Sequence, residues 1–411
     1  MHEARILARA RALPRAFLDD IARRDTDDAA THAAVAGLIV LRVIDRWVAD
    51  GCRPGCDVRG ARAAVHEMDA GRPARAILGE LLDALAAAGP TQTAGVIERV
   101  MAYARTLEYD ASWAMALAVY DRVIQYAGVA SSVAAVAGAY LRQGYCRRTM
   151  GQFEQAAACY DWARRLAENA GDVRQVLSAD LGRARIDAAL GRLAEADATL
   201  RAVIDGAERA RLPGLASMAL HDRAVVAGMH GDLVAAVRLG YAALQICDAP
   251  TEAERILADI GEGLRRLGLR AAARDAFLVL SATAQERYGR WSALILLMRI
   301  AGDDGQRALF DEYRRMLDAE PLPPALQVDF ALQTGYGLRA LGCARASRAA
   351  FHNTARLARR HGFRLEVGEA ERAIAGHTDS AEPARAPLDQ GSELSVVVEA
   401  LGTMRAETAA G

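Results

Sequence analysis

The stretch GQFEQAAACYDWARRLAENAGD, residues 151–172, decides the fold, because its spacing returns along the chain. Gly151 is followed five residues later by Ala156 and nine residues later by Tyr160. A related stretch, GRLAEADATLRAVIDGAERA, begins 40 residues further on at Gly191. A return at this period indicates a repeat architecture, in which one supersecondary unit is stacked many times.

With this glycine as an anchor, eight units follow one another, first 40 and then 37 residues apart. In seven of the eight units, the residues seven before and five after the anchor are small. The unit anchored at Gly305 departs, because Met298 and Phe310 occupy its two small positions. The anchors are Gly71, Ala111, Gly151, Gly191, Gly231, Gly268, Gly305 and Gly342.

Each unit is interpreted as a hairpin of two helices. The segments before and after the anchor are long and apolar-periodic, and the anchor glycine supplies the backbone freedom that a tight turn needs. The small residues are expected where the two backbones approach most closely. Gly144, Gly261 and Gly335 support this reading, because a glycine inside a helix costs about 1 kcal/mol relative to alanine and needs a compensating contact.

The pattern small–x6–Gly–x4–Ala–x3–aromatic resembles the tetratricopeptide repeat (TPR). Tyr120, Tyr160, Phe277 and Phe351 fill the aromatic position. The units are longer than the usual 34 residues, and the proline that often closes a standard unit is absent. The resemblance covers residues 57–376 and implies an all-α fold, a right-handed α-solenoid of TPR-like hairpins.

The flanks of the array differ in composition. Residues 1–56 are expected to form an N-terminal helical cap whose last helix, within residues 31–50, is buried because it is apolar nearly all round. A DNA-binding helix-turn-helix is disfavoured for the same reason. Residues 377–391 read as a flexible linker. The apolar spacing in residues 392–411 predicts an amphipathic helix. This helix would cap the last repeat, lie in the groove of its own chain or of a neighbouring chain, or stay largely unfolded.

Composition excludes several function classes. The net charge of −1 provides no field for nucleic acid or anionic lipid. The apolar run at residues 33–41 is shorter than the roughly 20 residues that a membrane span needs. The six scattered cysteines indicate reduced thiols rather than a disulfide framework. We therefore expect a cytoplasmic protein with no nucleic-acid or membrane partner, although a homo-oligomer stays possible.

No enzyme signature stands out. Cys52 and Cys56 form the only close cysteine pair. The sequence has no second cysteine or histidine pair at the spacing that a metal site would need. His221 and His230 lack a third ligand in the sequence. Cys146 and Cys159 occupy positions at which the repeat pattern has small apolar side chains, so we expect them to pack in the core. We expect no catalytic residue, no metal and no cofactor.

Surface shape is then the feature that suggests a function. In the TPR family the concave face is lined by the first helix of each hairpin, and arginines with tyrosines suit carboxylates and extended peptides. Acidic positions on the same helices are Glu98, Glu108 and Glu262. The resemblance implies a modestly basic peptide-binding groove lined by Arg105, Tyr145, Arg148, Arg185, His221, Arg255, Arg265, Tyr336 and Arg339.

The sequence leaves three functions open. The first is a non-enzymatic adaptor or scaffold that binds a protein or peptide, including an acidic one. The second is a regulator whose array changes curvature on binding a ligand, as in the sensor arrays of bacterial regulators that these long units resemble. The third is an enzyme with an unrecognised site. Binding of chaperone C-termini is disfavoured, because the lysine and asparagine pattern of that role is missing.

Overall fold

The computed structural model describes residues 14–23, 28–52, 55–87, 93–129, 132–376 and 394–410. Throughout these ranges all regular secondary structure is helical, and no strand is present. The predicted all-α fold class is therefore confirmed. Within the same ranges no helix combines the length and the apolarity that a membrane crossing requires.

Twenty helices occupy the described part of the chain, and most of them pack against their neighbours in sequence. Seven consecutive pairs run from α5–α6 to α17–α18, and we call the members of each pair its first and second helix. The bounds are α1 Arg15–Arg23, α2 Ala29–Ala49, α3 Arg59–His66, α4 Pro73–Ala87, α5 Thr93–Tyr109, α6 Trp113–Val129, α7 Val133–Thr149, α8 Phe153–Ala170, α9 Val173–Ala189, α10 Leu193–Arg209, α11 Pro213–His230, α12 Leu233–Gln245, α13 Pro250–Arg266, α14 Arg270–Thr283, α15 Arg287–Asp303, α16 Arg307–Asp318, α17 Pro324–Ala340, α18 Ala344–His361, α19 Arg364–Ile374 and α20 Ser395–Ala410.

The chain divides into two compact units, an N-terminal unit of Met1–Ala179 and a C-terminal unit of Asp180–Gly411. The boundary lies inside α9. The domain boundaries predicted at residues 56, 376 and 391 fall elsewhere and stay a prediction. The predicted linker at 377–391 lies outside the described residues.

The anchor glycines form the turns inside the hairpins. Six of them, at 151, 191, 231, 268, 305 and 342, have φ between 71° and 93°, in the left-handed region that favours glycine. At the first of these turns, Gly151 N–H donates to the Arg148 carbonyl at 2.9 Å and Gln152 N–H donates to the Arg147 carbonyl at 2.8 Å. These bonds satisfy the last carbonyls of the first helix, and the predicted role of the glycines is confirmed.

Two anchors behave differently. Ala111 makes the same turn with φ 52° although it carries a side chain. Gly71 does not adopt the left-handed conformation, and its N–H instead donates to the Asp69 side chain at 3.0 Å. The predicted glycine turn is therefore absent at Gly71, where α3 ends five residues earlier, at His66.

Three of the glycines seven residues before the anchors contact aromatic rings, which corrects the expected contact between two backbones there. A Cβ placed on Gly144 would lie 2.6 Å from a ring carbon of Tyr160, nine residues after the anchor. Corresponding clashes, at 2.5 Å, would occur between Gly261 and Phe277. The same distance separates a Cβ on residue 335 from the ring of residue 351. The missing side chain thus makes room for the ring of the second helix.

The unit anchored at Gly305 is a hairpin in spite of its unusual sequence. Its turn glycine has φ 72°, and Met298 and Phe310 are both fully buried. The Phe310 ring lies against Gly337 of the next unit, and a Cβ on Gly302 would lie 2.7 Å from the Cα of Gly337. The missing small residues within this unit are compensated by glycines that bring α15 and α17 together.

The N-terminal helices are packed into the N-terminal unit. Helix α2 buries Val40, Leu41 and Ile44 completely, as its apolar sequence predicts. Its buried Asp45 accepts a hydrogen bond from the Tyr126 hydroxyl of α6, 81 residues away. This bond ties the helix preceding the array to one of the array's own hairpins.

The C-terminal helix forms as predicted, with Leu394, Val397 and Leu401 buried. Its position is different from those expected. It packs against α14, the second helix of the unit anchored at Gly268, rather than against the last repeat.

We predict that Gly144→Leu lowers the free energy of unfolding by about 1–3 kcal/mol, because the added side chain must displace the Tyr160 ring. Gly138→Ala is the matched control on the same helix. The nearest atom to its added Cβ is Met101 Cε at 3.9 Å, so it should be neutral or stabilising by up to about 1 kcal/mol. Urea denaturation measures both. An unchanged midpoint for Gly144→Leu would contradict the contact.

Candidate functional site

All nine predicted recognition residues lie on first helices, as the repeat register requires. The N-terminal unit holds three of them and the C-terminal unit six. Whether they bind a partner stays a prediction. Their helices are α5 (Arg105), α7 (Tyr145, Arg148), α9 (Arg185), α11 (His221), α13 (Arg255, Arg265) and α17 (Tyr336, Arg339).

In the N-terminal unit an aromatic pair is flanked by arginines. The Tyr145 ring meets the Trp113 ring edge-on, with centroids 6.3 Å apart. The guanidinium carbons of Arg142 and Arg148 lie 4.6 and 5.6 Å from the centroid of Tyr145. Cation–π attraction of this kind orients the arginines on the ring. Arg105 is exposed on α5. Arg142 was missed by the sequence analysis.

Glu108, predicted as a groove position, lies in the interior. It is 7% exposed and accepts a hydrogen bond from the Tyr120 hydroxyl at 2.7 Å. Arg142 Nε at 3.2 Å and the Cys146 thiol at 3.4 Å also donate to it. Burial of the thiol and the Glu108 charge raise the pKa of Cys146. The thiol therefore stays protonated and suits packing, not nucleophilic chemistry.

In the C-terminal unit, polar side chains about one repeat apart join successive first helices and join the last of them, α17, to α19. We call the surface that they form, on α9 from residue 180 onward and on α11, α13, α15, α17 and α19, the first-helix face. The joined atoms are Arg185 Nε and Asp222 Oδ2 at 2.7 Å, His221 Nε2 and Asp259 Oδ2 at 2.7 Å, Arg265 Nη1 and Asp303 Oδ2 at 2.9 Å, Arg299 Nη1 and Gln333 Oε1 at 3.2 Å, and Tyr336 Oη and Glu369 Oε1 at 3.1 Å.

The separations of these pairs explain why they meet. Each pair is 33 to 38 residues apart in sequence, close to the repeat length. Side chains at matching heights on neighbouring first helices therefore lie next to each other. The face stays open to solvent, because the side chains of Asp259 and Arg255 are 56% and 61% exposed.

His221 is the most constrained member of the face. It is 2% exposed, and its Nδ1 lies 3.0 Å from Glu252 Oε1 while its Nε2 lies 2.7 Å from Asp259 Oδ2. Burial lowers the pKa of His221, but the hydrogen bonds and charges of Asp259 and Glu252 outweigh it and raise the pKa to about 9. The ring is therefore an imidazolium that donates to both carboxylates.

Arg265 joins two first helices, α13 and α15. It donates to both Glu262 oxygens at 2.6 Å and to Asp303 at 2.9 Å. Asp303 also accepts from Arg299 Nε at 2.9 Å, so one carboxylate lies between two guanidinium groups. Each arginine of this group is matched by an acid.

Further along the face, several carboxylates lie near one another. Desolvation raises the pKa of Asp329 to about 6, and although its hydrogen bond from Gln333 lowers it, the charges of Glu262, Glu369 and Glu366 add to the rise. The expectation of a modestly basic groove is therefore corrected. The predicted arginines of the C-terminal unit are largely paired, and the face is of mixed charge.

Tyr336 is also less accessible than predicted. It is 6% exposed, its ring meets Phe351 edge-on with centroids 5.0 Å apart, and Arg299 covers it at 4.6 Å from the centroid. Arg339 lies 5.8 Å from the same ring and donates to the Ala373 carbonyl at 2.5 Å. These side chains pack against one another and stabilise the face, and they do not project from it into solvent.

None of the predicted residues lines the shallow cleft between α16, α17 and α18, which is formed by residues such as Arg314, Phe330 and Asn353. In the described ranges no group of three or more histidine, cysteine or acidic side chains is placed to hold a metal ion. The first-helix face is therefore the strongest candidate site.

Comparisons with known proteins support the fold and leave the function open. No protein-family profile and no curated protein matches this chain. Among solved structures it is similar to a Rap protein complexed with competence and sporulation factor, at a TM-score of 0.51 and 10% identity, covering 91% of this chain and 96% of that one. This likeness shows a shared helical-repeat fold.

A second solved structure, BtubC (BKLC) from P. vanneervenii, is similar at a TM-score of 0.39 and 14% identity, covering 52% of this chain and 86% of that one.

We predict that stability falls between about pH 6.5 and pH 9 through the deprotonation of His221. Because the folded-state pKa lies above the ordinary value of 6.5, the stabilisation is complete below pH 6.5 and is lost as the pH rises through 9. Urea denaturation at pH 6.5, 8 and 9.5 measures the slope, and His221→Gln should remove this part of it. An imidazole that titrates near 6.5 by NMR would contradict the site geometry.

Proposed function

We propose that the protein is a non-enzymatic TPR-like adaptor that binds an extended peptide or protein segment on the first-helix face. The single observation that carries the proposal is the row of hydrogen-bonded side chains that links α9 to α19 in the C-terminal unit. It is a preordered surface that crosses six helices, and its shape suits an extended chain better than a compact small molecule.

Preorganisation favours binding, because side chains that are already ordered lose little entropy when a partner arrives. Arg265, Arg299 and His221 are each held by two or more polar contacts. Some of the groups that they contact stay exposed to solvent, as the side chain of Asp259 does. A peptide backbone offers both donors and acceptors, so it can match a face on which both kinds alternate.

The charge of the face refines the partner class. Exposed Arg255 favours acidic groups on the partner, as the sequence suggested. Asp329 and Glu366 favour a cation at the far end of the face. We propose a partner segment with charges of both signs, in a protein that acts in the cytoplasm.

The Rap structure supports the plausibility of this role. That protein was solved in complex with competence and sporulation factor, so a chain of similar fold forms a complex with another molecule. At 10% identity the likeness concerns the fold, and the proposal for this chain depends on the first-helix face.

The test selects short random peptides by display on the full-length protein and titrates the enriched peptides by fluorescence anisotropy. We predict that Arg255→Glu weakens their binding by about tenfold or more, because it reverses an exposed charge on the face. Arg164→Glu is the matched control. Arg164 is similarly exposed beside an acid on the same helix, but it belongs to the second helix α8.

Both substitutions should leave the melting temperature nearly unchanged, since exposed ion pairs contribute little to stability. Equal loss of binding in the two variants would indicate a nonspecific charge effect and would contradict the site. Failure to enrich any peptide would contradict the function. Enrichment of acidic, basic or mixed peptides decides the partner chemistry.

A regulator is the second candidate, and the place of α20 favours it. The helix docks on α14, whose hairpin partner α13 contributes Arg255 and Arg265 to the face. In a regulator, ligand binding at α13 would change the exposure of α20. Hydrogen exchange of residues 394–410 with and without a selected peptide separates the two roles, because a passive adaptor shows no change there.

A further inference from the structure

Helix α11 carries an exposed apolar pair, Val225 and Met229. These residues are 42% and 52% exposed. They are four residues apart in sequence and therefore lie on one side of the helix. Among the helices in the described ranges, α11 is the only one with two exposed large apolar side chains. Apolar residues that are exposed singly are ordinary, whereas a pair on one side of a helix is a contiguous apolar surface.

The pair belongs to the first-helix face. Val225 follows His221 by four residues, and Met229 follows Val225 by four more, so the three side chains form one stripe along α11. His221 is fixed within the face, because its Nε2 lies 2.7 Å from Asp259 Oδ2 of α13. The apolar pair therefore continues the face from His221 toward the turn at Gly231.

Val225 interrupts a row of polar side chains that crosses the face. The residues at the same position, six before the anchor, are Arg185 on α9, Glu262 on α13, Arg299 on α15 and Tyr336 on α17. Each of these four forms a hydrogen bond with another side chain of the face. Valine has neither donor nor acceptor in its side chain, so the corresponding position on α11 offers an apolar contact alone.

The charges beside Val225 are matched. Arg185 donates to Asp222, three residues before Val225, at 2.7 Å. On the other side, Arg265 donates to both oxygens of Glu262 at 2.6 Å. A charged group placed between these pairs would lose hydration without gaining a free counter-charge. The surroundings of Val225 therefore favour a neutral, apolar occupant.

We propose that Val225 and Met229 form an apolar subsite of the first-helix face, which takes one large apolar side chain of the bound segment. This subsite rests on the proposed function and extends it, because it names a residue type that the face selects in its partner. Leucine, methionine and phenylalanine are all accepted, since the unbranched thioether of Met229 adapts to aliphatic and aromatic shapes. The ion pairs of the face flank this residue and contact the polar groups of the segment.

The first experiment probes the subsite without a peptide. The full-length protein, isotope-labelled at its methionine methyl groups, is titrated with N-acetylleucinamide and observed by NMR. The Met229 signal, identified by its loss in Met229→Gln, should shift and then saturate, because the leucine side chain covers this methyl group. Val225→Ser should reduce the shift at each probe concentration, since it removes half of the apolar surface.

Met316 is the matched control for this titration. It is 47% exposed, similar to Met229, but it lies on the second helix α16 and so outside the first-helix face. Its signal should not move, and N-acetylglycinamide, which lacks the apolar side chain, should move neither signal. A Met229 signal that responds no more than the Met316 signal would overturn the subsite.

The second experiment uses the peptides selected by display on the full-length protein. One large apolar residue in them should be essential, and its replacement by alanine should weaken binding about tenfold or more. The chain with Val225→Ser and Met229→Gln should bind the parent peptide about as weakly. On that chain the alanine replacement should cost little more, because a contact that is already lost cannot be lost again.

Met316→Gln is the control variant and should leave binding unchanged. Circular dichroism should give nearly the same melting temperature for all these variants, because exposed side chains are replaced. If Arg255→Glu weakens binding but the Val225 and Met229 substitutions do not, the subsite is wrong and the proposed function stands. If no peptide binds but N-acetylleucinamide still moves the Met229 signal, the subsite stands and the proposed function fails.

Discussion

In each of three hairpins, an aromatic ring of the second helix packs against a glycine of the first helix. This contact allows the two helices to approach each other closely. Tyr160, Phe277 and Phe351 fill the space that a side chain would need at Gly144, Gly261 and Gly335. Because interiors are close-packed, this contact sets the rotation of the second helix against the first. The left-handed glycine turn sets their antiparallel direction, and the two constraints together decide which residues of the first helix face outward.

The first-helix face is a consequence of that register. Once the rotation of each hairpin is set, residues about 33 to 38 positions apart lie side by side on neighbouring first helices. Arginine suits these positions, because its planar fork can hold two acids at once, as Arg265 does with Glu262 and Asp303. The face is consequently ordered and of mixed charge, which differs from the modestly basic groove that the sequence suggested.

The hairpin of α13 and α14 makes different contacts on its two sides. Its first helix contributes Arg255 and Arg265 to the first-helix face, and its second helix receives the C-terminal helix α20. Between these two sides, the Phe277 ring of α14 packs against Gly261 of α13.

The sequence by itself determined the helical class, the hairpins and the turn glycines, because small residues and helix-breaking glycines act locally and repeat at a readable period. It also placed the nine predicted residues on first helices. Only the tertiary structure decided what each of them touches. Pairs such as Arg185 with Asp222, or Arg405 with Asp275, join residues 37 and 130 positions apart. Such contacts depend on how whole helices rotate and stack, and no local pattern encodes that geometry.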